Sequence, residues 1–177
     1  LSGLAMQMTG NSRPASGAEH HLVHLWDMEV VNGHLDALHG EKVSAGTMLV
    51  LLEYKKIADA IRKGNCKVHT CTEEDRELLQ STFGKKGILG AIEKENTPEL
   101  LDDVSTKELS DTLPGILKII DALPAVTDMQ EMMNTAGCVS RVRDIGLPGE
   151  VIEESLRLAP YTRRRLSLLR LRKMLTY

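Results

Sequence analysis

Signals that start and stop α-helices recur along this chain, while almost nothing in it alternates with the period of two that a half-buried strand requires. Leu4 to Met8 reads as the end of a helix that stops at Thr9-Gly10-Asn11. A helical pattern from Gly17 to about Val31 closes at Asn32-Gly33, and a long apolar-rich one from His39 to about Lys63 closes at Gly64-Asn65, both with glycine where a left-handed helix end favours it. Thr72 is placed to cap a helix from Glu73 to Phe83, whose acidic first turn suits the positive end of the dipole. Thr97-Pro98-Glu99 puts proline at a tolerated first helical position. Ser105-Thr106-Lys107-Glu108 and Thr127-Asp128-Met129-Gln130 have the form of capping boxes. Gly146-Leu147-Pro148-Gly149 separates a Met-rich helix from Val151 to Ala159, and Pro160 leads into a final basic helix. Thr70-Cys71-Thr72 is the only stretch that tempts a strand assignment. These signals predict an all-α fold, a compact multi-helix bundle of roughly seven to nine helices.

Composition agrees. Hydrophobic residues make up 42% of 177 residues but aromatics only 3%, so the core is built from Leu, Ile, Val, Met and Ala, a mixture that favours helix. A formal charge of −3 gives no reason to expect nucleic acid. The basic run Arg163-Arg164-Arg165, Arg170, Arg172 and Lys173, interleaved with Leu166, Leu168, Leu169 and Leu171, predicts an amphipathic helix with a solvated basic face. The odd cysteine count (Cys66, Cys71 and Cys138) suits ordinary thiols of a cytoplasmic protein, with Cys66 and Cys71 at most a stray ligand pair. No apolar run nears the roughly 18 residues of a membrane span, so no membrane partner is expected. A start at Leu1 rather than Met suggests a piece of something longer. Met129, Met132 and Met133, at helical spacing, suit a homodimer interface as well as core.

The histidines carry the chemistry. Six occur, and five lie between His20 and His39. His20 and His24, four apart on a helix, point the same way, whereas His21 is turned about 100° from them. His39 follows after a turn and precedes Gly40, where the backbone can pass close to a ligand. Imidazoles from consecutive helices suit zinc, nickel or iron, with a carboxylate as the natural third ligand. The same spacing also suits surface histidines. Ahead of them Ser12, Arg13 and Ser16 lie before a helix start, whose free N–H groups and positive dipole end attract anions; a guanidinium adds paired donors for phosphate. Ser16 as a plain helix cap and Arg13 as a surface residue fit the spacing equally well. Gly84, Gly87 and Gly90 follow a polar helix rather than a strand, and no P-loop is present, so these residues alone do not hold a nucleotide.

The run Ser12 to His24 (SRPASGAEHHLVH), then Trp26-Asp27-Met28, then Leu38 to Lys42 (LHGEK), resembles the glycerol-1-phosphate dehydrogenases, within the superfamily of iron-dependent alcohol dehydrogenases, glycerol dehydrogenases and dehydroquinate synthases. The resemblance implies that residues 1–177 are a helical C-terminal domain binding metal and substrate, while an N-terminal Rossmann-like domain, not in this chain, binds NAD(P). It implies His20 and His39 as ligands of a divalent metal, with an Asp from the nucleotide-binding side as the third. It also implies His24 facing a phosphorylated polyol substrate and Arg13, Ser12 and Ser16 near its phosphate. These residues by themselves are then expected to be inactive. A glycerol or polyol dehydrogenase, a dehydroquinate-synthase-like cyclase and a non-catalytic helical interaction module remain as alternatives.

Overall fold

A computed structural model of the chain describes residues 2–71 and 75–177. Its helices are α1 (Ser2–Thr9), α2 (Ala18–Asp27), α3 (His39–Arg62), α4 (Arg76–Phe83), α5 (Leu89–Glu95), α6 (Thr106–Asp121), α7 (Val126–Thr135), α8 (Ile152–Leu158) and α9 (Leu168–Leu171), joined in places by short 3-10 turns. Among the described residues the one sheet is a two-residue antiparallel pair, β1 (Lys67–Val68) with β2 (Leu175–Thr176). The domain is all-α. The small pair lies just before Thr70-Cys71-Thr72 rather than on it, and Thr72 as a cap falls outside the described residues.

Helix α2 buries Ala18, Leu22 and Leu25 together with Val23 and Trp26, a stripe of helical period. The stripe meets Ala45, Leu49 and Val50 of α3 and Leu156, Leu158 and Tyr161 in the main core. Each fully buried leucine contributes roughly 1.5–3 kcal/mol. A smaller core joins Ile57 of α3 to Leu109 and Leu113 of α6 and to Met174 and Leu175. Helix α3 therefore spans both cores. The single tryptophan ties α2 to α8, its indole N–H donating to Ser155 Oγ at 3.1 Å.

Several boundaries differ from the sequence expectation for identifiable reasons. Helix α2 ends at Asp27 rather than near Val31, because Glu29 turns to φ 52° and Asn32 Nδ2 donates to the Trp26 carbonyl at 3.2 Å. Pro98 starts no helix: Arg164 donates twice to its carbonyl, at 3.0 and 2.9 Å, and holds the segment as a loop. Helix α7 starts at Val126 with Ala125 in the cap position, before the supposed Thr127 cap, because Lys55 Nζ grips the carbonyls of Ile120 and Leu123 at 2.9 and 3.1 Å and sets the preceding turn. Ser105 does cap α6, its hydroxyl accepting from Glu108 N–H at 3.3 Å.

The largest departure is the basic C-terminal run. It is not an amphipathic helix with a solvated face; it breaks into a 3-10 turn (Ala159–Thr162), an extended stretch, the four-residue α9, another 3-10 turn and β2. Arg170 is only 1% exposed, its Nη1 donating to Glu99 Oε1 at 2.6 Å and its Nη2 to the Pro160 carbonyl at 2.5 Å and to Asn96 Oδ1. Arg172 Nε donates to Glu53 Oε1 at 2.6 Å and its Nη2 to Glu153. A buried guanidinium without a partner costs several kcal/mol, so the backbone follows the carboxylates rather than the helical pattern. No disulfide joins Cys66, Cys71 or Cys138, and no helix among the described residues is long and apolar enough to cross a membrane.

Glu53, 2% exposed on α3, makes a titration prediction. Burial alone would raise its pKa, but the Tyr177 hydroxyl, the Arg172 guanidinium and Lys56 hold it below the ordinary 4.5. With the folded value depressed, its contribution is present above the unfolded value and is lost as pH falls through the folded one. The stability gap between the native chain and Glu53→Gln, read from urea midpoints, is expected to be widest near neutrality and to shrink as the pH drops below about 4.5. A gap independent of pH would mean that Glu53 is not held ionised.

Candidate metal and phosphate face

Helix α2 opens on Gly17, whose N–H donates to Glu19 Oε1 at 2.8 Å. The same oxygen accepts from His20 Nδ1 at 2.8 Å. Burial would raise the Glu19 pKa, but the bonds from His20 and the Gly17 backbone hold it lower. An ionised Glu19 fixes the His20 tautomer with its proton on Nδ1 and leaves Nε2 as a lone-pair donor, the arrangement that orients metal-binding histidines. Ser16 makes no cap, and an N–H at this helix start is taken by the helix's own carboxylate. The Gly17 N–H is therefore already engaged within the helix's own first turn.

His39 is the first residue of α3. Glu41 reaches back to accept from the Leu38 N–H at 2.7 Å, and Lys42 bridges to Asp27, the last residue of α2, at 2.8 Å. Gly46 permits the close approach of the two helices, since a Cβ there would stand 3.2 Å from the Glu19 carbonyl oxygen. These contacts bring the His20 and His39 ring centroids to 5.7 Å, tilted by 53°. Two imidazoles on one metal ion, each bonded at about 2.0 Å, sit about 5 Å apart. The ring spacing in the pair is close to that value.

One turn beyond His20, His24 is half-buried. Burial first, then the Arg163 guanidinium and His20, push its pKa down, so its imidazole is neutral near pH 7. His21 faces elsewhere: it is 1% exposed and neither ring nitrogen has a hydrogen-bond partner. Burial, then Arg165 and Arg170, push its pKa down to about 4. Gly40 stands in open space. Among the described residues no group of three or more His, Cys, Asp or Glu is placed to hold a metal.

Ser12 and Arg13 are exposed, and Arg13 opens a 3-10 turn, Arg13–Ala15. The Ser16 carbonyl accepts from Arg165 Nη1 at 2.5 Å, which brings the C-terminal segment against this loop. Glu19 and Arg163 are the neighbours that the sequence expectation lacked. The Glu-His adjacency was a visible signal for Glu19, whereas the approach of Arg163 to His24 had none.

Compared with curated proteins, the chain is 33% identical over 170 residues to the glycerol-1-phosphate dehydrogenase [NAD(P)+] of Halalkalibacterium halodurans, a match covering 96% of this chain and 34% of that protein. It is a relative of the glycerol-1-phosphate dehydrogenases. The enzyme of the same name from Geobacillus stearothermophilus is 26% identical over 159 residues, covering 89% of this chain and 32% of its own length. That of Methanococcoides burtonii is 43% identical over 65 residues, or 34% of this chain. The chain thus spans about a third of the length of these first two relatives. No protein-family model matches it, and no solved structure does. With 96% of the chain aligned, the histidine face falls inside its similarity to these dehydrogenases.

Proposed function

We propose that residues 1–177 form the helical metal- and substrate-binding domain of a metal-dependent, NAD(P)-linked sn-glycerol-1-phosphate dehydrogenase, which interconverts dihydroxyacetone phosphate and sn-glycerol 1-phosphate. The observation that carries this reading is the His20–His39 pair at 5.7 Å, with Glu19 orienting His20, in a chain similar along nearly its whole length to enzymes of that name. On this reading His20 and His39 hold a zinc, nickel or iron ion, which accept imidazole nitrogen, and a carboxylate of the nucleotide-binding domain completes the ligand set. Such an ion, when bound, polarises a carbonyl oxygen as a Lewis acid. NAD(P) is held mainly by the nucleotide-binding domain.

The chain's own residues then orient the substrate. His24, neutral and one turn from His20, can donate or accept a proton at the substrate oxygen near pH 7. Arg13, with Ser12 and Ser16 on the same loop, binds the phosphate through paired N–H donors.

The test is turnover by the full-length enzyme. Its kcat/KM for dihydroxyacetone phosphate is expected to exceed that for dihydroxyacetone by about 100-fold or more, since the smaller ketone leaves polar donors unpaired. Equal use of glycerol and its 1-phosphate would make the protein a polyol dehydrogenase. Persistent dimers with no metal affinity, even with the nucleotide-binding domain, would make it an interaction module.

A further inference from the structure

The run Arg163-Arg164-Arg165 reads in sequence as a solvated face, and the proposed function makes no use of it. In the fold it belongs to a strap of non-helical backbone between Thr162 and Leu168, and its side chains take main-chain carbonyls. Arg164 donates twice to the Pro98 carbonyl, at 3.0 and 2.9 Å, while Arg165 Nη1 donates to the Ser16 carbonyl at 2.5 Å. A tight turn, with the Arg165 N–H on the Arg163 carbonyl at 2.9 Å, lets these two neighbours serve different loops.

The two sides of the Arg165–Ser16 bond are held unequally. The strap has anchors of its own. Thr162 Oγ1 donates to the His21 carbonyl at 3.2 Å, and the buried Arg170 donates to the carbonyls of Pro160 at 2.5 Å and Arg163 at 3.4 Å. The loop before α2 has none. No residue from 10 to 17 is buried. Its other hydrogen bonds are local: the Ala15 N–H to the Ser12 carbonyl at 3.0 Å, the Ser16 N–H to the Arg13 carbonyl at 3.5 Å and the Arg13 N–H to Asn11 Oδ1 at 2.9 Å. Among the described residues, the bond from Arg165 is the one that ties residues 10–16 to a distant part of the chain, across 149 positions. A guanidinium on a carbonyl is a charge-assisted bond, stronger than a neutral one, so this single contact decides where the loop stands.

We propose that Arg165 is a positioning residue for the substrate loop: from the anchored strap it holds the Ser16 carbonyl, and so keeps Ser12, Arg13 and Ser16 in place against α2 without touching substrate itself. The inference deepens the proposed function and rests on it for the kinetic readout alone.

The test compares the full-length enzyme with Arg165→Met, which keeps the aliphatic stem but removes the donors, and with Arg165→Lys, which keeps a charged donor. In Arg165→Met the amides of Arg13, Ala15 and Ser16 are expected to exchange hydrogen about 10-fold faster, with exchange inside α2 and α3 unchanged. KM for dihydroxyacetone phosphate is expected to rise about 10-fold while kcat and bound metal stay within about 3-fold. Arg165→Lys, the gentler change, should recover part of both effects and carries the same comparison at smaller amplitude if Arg165→Met does not fold. A merely structural role would speed exchange through α2 and α3 and lower kcat and metal content together, and that result overturns the proposal. A higher KM with loop exchange unchanged also overturns it, because Arg165 then meets the substrate directly. Faster loop exchange at an unaltered KM overturns it as well. A native enzyme without dehydrogenase activity counts against the proposed function, and the exchange comparison then decides the role of Arg165 by itself.

Discussion

In the full-length enzyme, His20→Ala is expected to lose bound metal and to lower turnover by about 1000-fold or more, the scale of losing a preorganised electrostatic group. The size follows from how little redundancy the face has. The chain contributes two imidazoles, His39 stands exposed at the first turn of α3, and no described cluster of three ligand-type side chains can take over. His39→Ala is expected to have the same effect. Glu19→Gln separates ligation from orientation, because it keeps a bond to His20 Nδ1 while removing the charge that fixes the tautomer. Its metal affinity should fall about 10- to 100-fold without loss of fold. Metal analysis after dialysis, together with steady-state rates, checks all three. Full metal content and turnover in His20→Ala would end the ligand assignment.

Arg170→Leu is expected to destabilise the domain by about 3–5 kcal/mol, the range for breaking a buried ion pair by removing one partner. At 1% exposure Arg170 anchors Glu99, Asn96 and the Pro160 carbonyl, and so joins the loop after α5 to the C-terminal segment. Its removal strands the buried Asn96 amide oxygen and leaves Glu99 with the Leu101 N–H at 3.3 Å and a longer contact to Lys173 at 3.8 Å. In a domain of this size the loss should lower Tm by roughly 10 °C. The double variant Arg170→Leu with Glu99→Leu is expected to recover part of the loss, since the stranded charge is gone. A loss under about 1 kcal/mol for the single variant, measured by urea unfolding, would show that the network is solvated in solution.

What the sequence by itself determined was local. The close of α3 at Gly64, the Ser105 cap of α6 and the shared face of His20 and His24 all depend on groups within about four residues, where helix geometry alone dictates who meets whom. The exclusion of His21 from that face was equally legible, because it continues the stripe of Ala18, Leu22 and Leu25. Tertiary structure decided the rest. Arg170 finds Glu99 across 71 residues and Arg172 finds Glu53 across 119, so a run that reads as a solvated basic helix is pulled inward by carboxylates that no local pattern announces. The same long-range contacts carry Arg163 toward His24 and Arg165 onto Ser16. Helical period is set by the backbone of each segment, whereas the pairing of buried charges is set by whichever partners the packed cores bring within reach.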